Sequence, residues 1–178
     1  MAGRLLVAAP PLVDPNFDRT VVLLLAHDSE EGALGVVLNR SSETPVDEAV
    51  PELAQLVEGM GEVHVGGPVQ TSAIVVLADF EEPPDPEALV VESVGFLPAE
   101  VDPDSLGPLR RARVYVGYAG WGPGKLDDEL EEGSWIVEPA LAEDVFTDEP
   151  DALWSTVLQR KGGPFRVLAA MPPDPSRN

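Results

Sequence analysis

A chain of 178 residues suits one domain, and 44% hydrophobic residues gathered in distinct runs is enough for a packed core. Eleven Lys+Arg against 32 Asp+Glu give 11 − 32 = −21, a charge that repels nucleic-acid backbones and argues against direct DNA or RNA binding. With no cysteine, disulfides, thiolate nucleophiles and Cys-based metal centres are excluded.

The first strand is expected over 4–9 (RLLVAA). This apolar stretch is too short for a signal-peptide core, and prolines follow it. The runs 20–26 (TVVLLLA) and 33–39 (ALGVVLN) predict two more strands, and the six-residue HDSEEG between them favours an antiparallel hairpin. The longest unbroken apolar run, Val21–Ala26, falls far below the ~20 residues of a spanning helix. The expectation is a soluble, cytoplasmic protein with no membrane association. Residues 45–59 predict a helix from the spacing of Val46, Ala49, Val50, Leu53, Leu56 and Val57, started or kinked at Pro51.

Strands follow at 63–69 and 73–79. Residues 81–109, with six prolines, read as surface wandering with one short strand near ALVVES. The run 112–118 predicts a strand, KLDDELEE a helix, 134–139 a strand, and 150–163 a helix stopped by Gly162 and Gly163. One domain over 1–171 is expected, with 172–178 a disordered tail. The fold class is α+β, a mixed and mainly antiparallel sheet flanked by helices.

The stretch GYAGWGPGKLDDELEEGSW (117–135) invites comparison with phosphate-binding loops. A Walker A loop ending at Gly124–Lys125 needs glycine at 119 and a hydroxyl at 126, where the chain has alanine and leucine. A Rossmann fingerprint from Gly120 and Gly122 needs glycine where Lys125 stands. Asp127, Asp128 and Glu129 would moreover repel a phosphate from the helix start. The nucleotide-loop reading is rejected. Five carboxylates in 127–132 lack the ligand spacing of a calcium loop, and no metal or cofactor is expected.

The same stretch resembles the signature of the YqgE/AlgH family, a Gly-Trp-Gly-x-Gly-Gln-Leu-Glu-like segment followed by acidic residues and a tryptophan. GRLLVAAPPLVDPNFDRTVVLLLAHDSEEGALGVVLN (3–39) is similar to the family's N-terminal block, and VHVGGPV (63–69) to its central segment. Lys125 stands where the family usually has glutamine, which removes any role that amide would play. The resemblance implies a compact α+β fold and no established activity. Some members carry the label of a transcriptional regulator; at −21 such a role here would have to be indirect.

Pairing the hairpin about residue 30 makes partners sum to about 60, so Val21 faces Asn39 and Arg19 lies beside Asn39 and Arg40. His27 falls at the far end, about 25 Å away at about 3.3 Å per residue, and so forms no simple dyad with Asp14 or Arg19. Arg19 with Asp14 and Asn39 supports two readings: a bidentate anion-binding cleft, or a staple of the DPNFD loop to the sheet. Trp121, flanked by Gly120 and Gly122, is either a stacking wall or a core ring. Gly66 and Gly67 form a turn able to line the same cleft. The predicted site is therefore Asp14, Phe17, Arg19, Asn39, Gly66, Gly67, Gly120, Trp121 and Gly122, holding a small anionic ligand or a protein partner. A hydrolase using Asp14 or His27 is the rival, opposed by the absence of G-x-S-x-G and H-E-x-x-H motifs. His27 with Asp28 reads as turn chemistry.

Overall fold

Aliphatic runs with alternating inward and outward side chains fold into a single curled sheet, because each strand has one face to bury against helices and one against a smaller cluster. The computed structural model describes residues 2–9, 17–28, 30–51, 53, 61–82, 89–98 and 108–171. The strands are β1 (Arg4–Ala8), β2 (Val21–Asp28), β3 (Gly32–Val37), β4 (Ser41–Pro45), β5 (Glu62–Val65), β6 (Val69–Phe80), β7 (Leu89–Val91), β8 (Val94–Pro98), β9 (Leu109–Trp121) and β10 (Trp135–Pro139). They run β10-β1-β2-β3-β9-β6-β8-β7, with β4 on β5 and β5 on β9. Every pairing is antiparallel except β5–β9, so the sheet is mixed and mainly antiparallel. This is the α+β class that the sequence predicts.

The hairpin register agrees with the sequence. Ala26↔Leu34 and His27↔Ala33 sum to 60, while Val22↔Val37 and Leu23↔Val36 sum to 59, the slip falling at a bulge between Leu24 and Ala26. The curl brings β7 back to the start of the first strand: a Cβ on Gly3 would lie 2.5 Å from the Val90 carbonyl oxygen. Glu92, in the turn after β7, accepts a hydrogen bond from the Ala142 N–H at 2.6 Å.

Five helices complete the described chain: α1 (Val46–Ala49), α2 (Lys125–Glu131), α3 (Ala142–Val145), α4 (Leu153–Lys161) and α5 (Phe165–Ala169). The period-2 alternation separates three clusters. Leu5, Val7, Val21, Leu23, Val36, Leu77 and Tyr115 face the α3–α5 layer, which contributes Val145, Leu153, Trp154, Val157 and Leu158. On the opposite face, Leu6, Ala8, Val22, Leu24 and Val37 meet Leu126 of α2 together with Trp121 and Trp135. Val76, Ala78, Val114 and Leu97 meet Val46, Val50, Leu53 and Val63 of the β4–α1–β5 unit.

Three expectations are corrected. Residues 81–109 are not surface wandering with one strand: they include β7, β8 and the first residue of β9, with Val94 fully buried. The glycine stretch is strand as far as Trp121, because Gly117 and Gly120 sit within β9, and Gly120 pairs with Leu34. The helix expected over 45–59 is helical at Val46–Ala49 and not at Val50, Pro51 or Leu53; position 52 and residues 54–60 lie outside the described residues, as does the tail 172–178.

Candidate functional site

Local geometry around the predicted cleft begins at the open end of the β2–β3 hairpin. Asn39 extends the ladder there with its side chain: its Oδ1 accepts from the Val21 N–H at 2.9 Å, and its Nδ2 donates to the Arg19 carbonyl at 2.9 Å. Arg19 adopts a left-handed backbone, φ 56°, and turns its guanidinium over the Trp154 ring at 4.3 Å, donating to the Met171 carbonyl at 2.7 Å. It thus ties the loop before β2 to α4 and the end of α5. Asp14 lies outside the described residues. Removing the Arg19 side chain loses one cation–π contact and one hydrogen bond. We expect Arg19→Ala to lower stability by about 1–2 kcal/mol in urea unfolding, and an unchanged midpoint would contradict that stapling role.

Trp121 turns inward. It is 9% exposed, stacks on Phe17 at 6.2 Å and meets Trp135 edge-on at 6.1 Å. The ring belongs to the cluster under α2, whereas Arg19 lies against Trp154 in the cluster on the other face. Gly120 and Gly122 have room for a Cβ, with no neighbouring atom nearer than 3.7 Å. The described residues of the predicted site therefore fall into three groups: Phe17 with Gly120–Gly122, Asn39 with the Arg19 backbone while the Arg19 guanidinium lies on the helical layer, and Gly66 with Gly67.

The third group borders an open space. Gly66 bridges two strands, its N–H donating to Val116 and its carbonyl accepting from Val37, both at 2.8 Å. Gly67 is held against β9 so tightly that a Cβ would stand 2.2 Å from the Tyr118 carbonyl. Beyond it lies a pocket of about 260 Å³ lined by Val37, Arg40, Val65, Gly67, Pro68 and Thr71. Arg40 is half-buried, donates from Nη2 to the Asp18 carbonyl at 3.2 Å, and accepts from the Val65 N–H through its own carbonyl at 2.7 Å. The rest of the wall is mostly aliphatic. Between Val69 and Ile74, β6 bulges away from β9 and leaves Gln70, Thr71 and Ser72 exposed at the rim. The register that places Asn39 also places Arg40 at this end, and that is the signal pointing to it.

At the other end, Asp28 caps its turn, accepting from the Glu30 and Glu31 N–H groups at 2.6 and 3.1 Å. Those two N–H groups hold its carboxyl below the usual range. His27 carries a contact that spacing did not suggest: its Nε2 is 3.2 Å from Asp127 Oδ1 on α2. A hundred residues separate the two, and only the β3–β9 pairing brings them together. A second pocket of about 270 Å³ opens here, lined by Ala26, His27, Asp28, Glu31, Gly32, Ala33 and Leu34. Among the described residues no group of three or more His, Cys, Asp or Glu is arranged to hold a metal, and no helix is long and apolar enough to cross a membrane.

Among the described residues, His64, Asp79, Tyr115 and Asp144 are titratable side chains buried elsewhere. His64 on β5 is 4% exposed, and burial, helped by the charge of Arg113, pushes its imidazole down to about 4. Burial raises the Asp79 carboxyl, but the Ser93 hydroxyl, the Arg111 guanidinium and the charge of Arg110 outweigh it, and the net shift is downward.

A curled, mainly antiparallel sheet, backed by short helices and carrying a small, mostly aliphatic pocket, is the class of molecule this geometry defines. The AlgH-like family model (DUF179) matches residues 5–166. A UPF0301 protein of Streptomyces coelicolor is 44% identical, covering 100% of this chain and 95% of its own. One from Thermobifida fusca is 40% identical over 100% and 96%. Among solved structures, a Corynebacterium diphtheriae protein superposes with a TM-score of 0.84 at 28% identity, covering 96% of this chain and 92% of its own. The AlgH protein of Pseudomonas aeruginosa, also UPF0301, gives 0.71 at 28% identity, over 97% and 94%. The chain belongs to the AlgH-like family.

Proposed function

We propose that the protein is a binding module that takes a small anion, of the carboxylate or phosphate class, in the pocket beside Asn39 and Gly67. The supporting observation is a concave space lined by Arg40 together with Val37, Val65, Gly67, Pro68 and Thr71. Arginine is permanently charged and presents a planar fork of donors that matches either anion. The aliphatic walls suit a ligand with a short apolar portion. The pocket volume of about 260 Å³ is at the lower limit for small-molecule sites. Compared with the cleft expected from the sequence, this keeps Gly67 in the lining, with Asn39 and Gly66 as chain neighbours of lining residues, replaces Arg19 by Arg40, and gives Trp121 to the core.

The hydrolase reading ranks lower. The described residues lining the His27 pocket offer an imidazole, carboxylates and aliphatic groups, and among them there is no hydroxyl or thiol nucleophile. With a charge of −21, a regulatory role would act through a ligand or a partner protein, not through contact with DNA.

A thermal-shift series with phosphate, sugar phosphates and short carboxylic acids at pH 7 tests the reading. A ligand at a hundred times its Kd adds about 2.7 kcal/mol to stability, enough to raise Tm visibly. Arg40→Ala, measured against its own ligand-free midpoint, is expected to lose the shift, and Arg19→Ala to keep it. A shift that survives in Arg40→Ala would place the ligand elsewhere.

A further inference from the structure

His64 lies at the centre of the strand that supplies one wall of this pocket. β5 meets β9 through two parallel register pairs, His64↔Tyr115 and Val65↔Val116, and meets β4 through Ser41↔His64 and Pro45↔Glu62. The His64 Nδ1 is 3.1 Å from the Glu62 carbonyl. An N–H at Nδ1 donates there, which makes Nε2 the acceptor nitrogen of a neutral ring. That Nε2 is buried with no hydrogen-bond partner among the described residues, and so is the Tyr115 hydroxyl, the two rings standing 5.6 Å apart.

A proton on Nε2 introduces a cation into this buried position. On β9 it faces Arg113, whose guanidinium donates to the Val145 and Thr147 carbonyls, and the phenol of Tyr115. Glu62, on its own strand, is exposed and accepts from the Ser41 hydroxyl of β4. The phenol oxygen is a neutral acceptor and compensates a charge poorly, while Arg113 repels it. The imidazolium gains most by turning out into water. Beyond the short ladder that pairs His64 and Val65 with Tyr115 and Val116, three further backbone bonds hold this edge: the Val65 N–H to the Arg40 carbonyl, the Gly66 N–H to the Val116 carbonyl, and the Val37 N–H to the Gly66 carbonyl. Val63 points to the opposite face, into the cluster of Val46 and Leu53, so the ribbon remains attached there when the edge releases.

We infer that β5 is an acid-sensitive latch, in which protonation of His64 frees the strand edge from β9 and carries away the Val65–Gly67 wall of the pocket. The consequence for a ligand rests on the pocket proposed above; the release itself does not. Above the unfolded imidazole value of 6.5, both closed and open states hold a neutral ring, and pH has no effect through this group. Below it the open state takes the proton, and the closed state refuses it until about 4. Opening is therefore favoured by up to about tenfold per pH unit within that window.

Native-state hydrogen exchange tests this. The amides of Gly66 and Val37 report the edge, and those of Ala8 and Ala9, bonded to Thr20 and Ser134, report the core. Rates are compared between the parent and His64→Asn at each pH from 7 to 4.5, so that intrinsic exchange cancels. His64→Asn retains a donor for the Glu62 carbonyl and removes Nε2; His64→Phe serves if that variant does not fold. The edge amides of the parent should open about tenfold faster per unit below pH 6.5, with no such slope in the variant and none in the core amides. A flat ratio overturns the inference, as does a slope that persists without His64 or one shared equally by the core. The exchange readout needs no ligand, and phosphate thermal shift at pH 7 tests the pocket alone, so failure of one is distinct from failure of the other.

Discussion

Replacing Trp121 with alanine is expected to lower the unfolding free energy by about 3–5 kcal/mol, the range for a buried aromatic truncated to a methyl group. The ring is 9% exposed and is enclosed by Phe17 and Trp135 within centroid distances of 6.2 and 6.1 Å. Phe17 and Trp135 also meet edge-on at 5.7 Å, so the three rings form one unit and the loss of one leaves a cavity beside the other two. Trp121→Phe keeps an aromatic face toward Phe17 and is expected to cost less than half as much. A tryptophan that stacked on a ligand would behave in the opposite way, with stability little changed and binding lost. Urea unfolding of both variants, followed by phosphate thermal shift on the folded material, separates the two roles. An alanine variant as stable as the parent would return Trp121 to the binding surface.

The reason for that burial was not legible in the sequence. Glycines on either side of Trp121 suggested an uncovered ring, yet coverage comes from Phe17 ahead of β2, Leu126 on α2 and Trp135 on β10. Local composition reports what neighbours in the chain leave open; it does not report what other elements bring. The hairpin is the opposite case. Its register follows from loop length and alternation, which are local, and so the Val21–Asn39 contact and the place of Arg40 were accessible from spacing alone. The His27–Asp127 pair was not, because it depends on β3 finding β9 across some eighty residues of intervening chain. The short strand expected near ALVVES is β7, whereas β8 was hidden by prolines, which are tolerated at strand ends; Pro98 is the last residue of β8. Resemblance to a family supplied the fold class from motifs spread over the chain, but it carried no instruction about which polar group borders a pocket.

Arg160→Met is expected to be the other strongly destabilising change, by about 3–5 kcal/mol. Asp144 is 3% exposed, and its two carboxylate oxygens each accept from the Arg160 guanidinium at 2.9 Å. One of them also accepts from the Leu141 N–H at 2.9 Å, capping α3. Removing the arginine leaves the carboxylate buried with a single donor, and a buried charge stripped of its partner costs more than the pair contributed. Removing the aspartate is gentler, because the guanidinium side chain, 30% exposed, still reaches water. The expected order is therefore Arg160→Met worse than Asp144→Asn, with the double variant recovering at least half of the loss caused by Arg160→Met. A double-mutant cycle in urea measures this directly. Equal, additive losses would mean that the carboxylate is better solvated than its surroundings indicate. The helical layer would then be fastened to the sheet by the packing of Leu153, Trp154, Val157 and Leu158 and by bonds such as Trp154 Nε1–H to the Ala8 carbonyl and Arg113 to the Val145 carbonyl, without electrostatic support from the pair that joins α3 to α4.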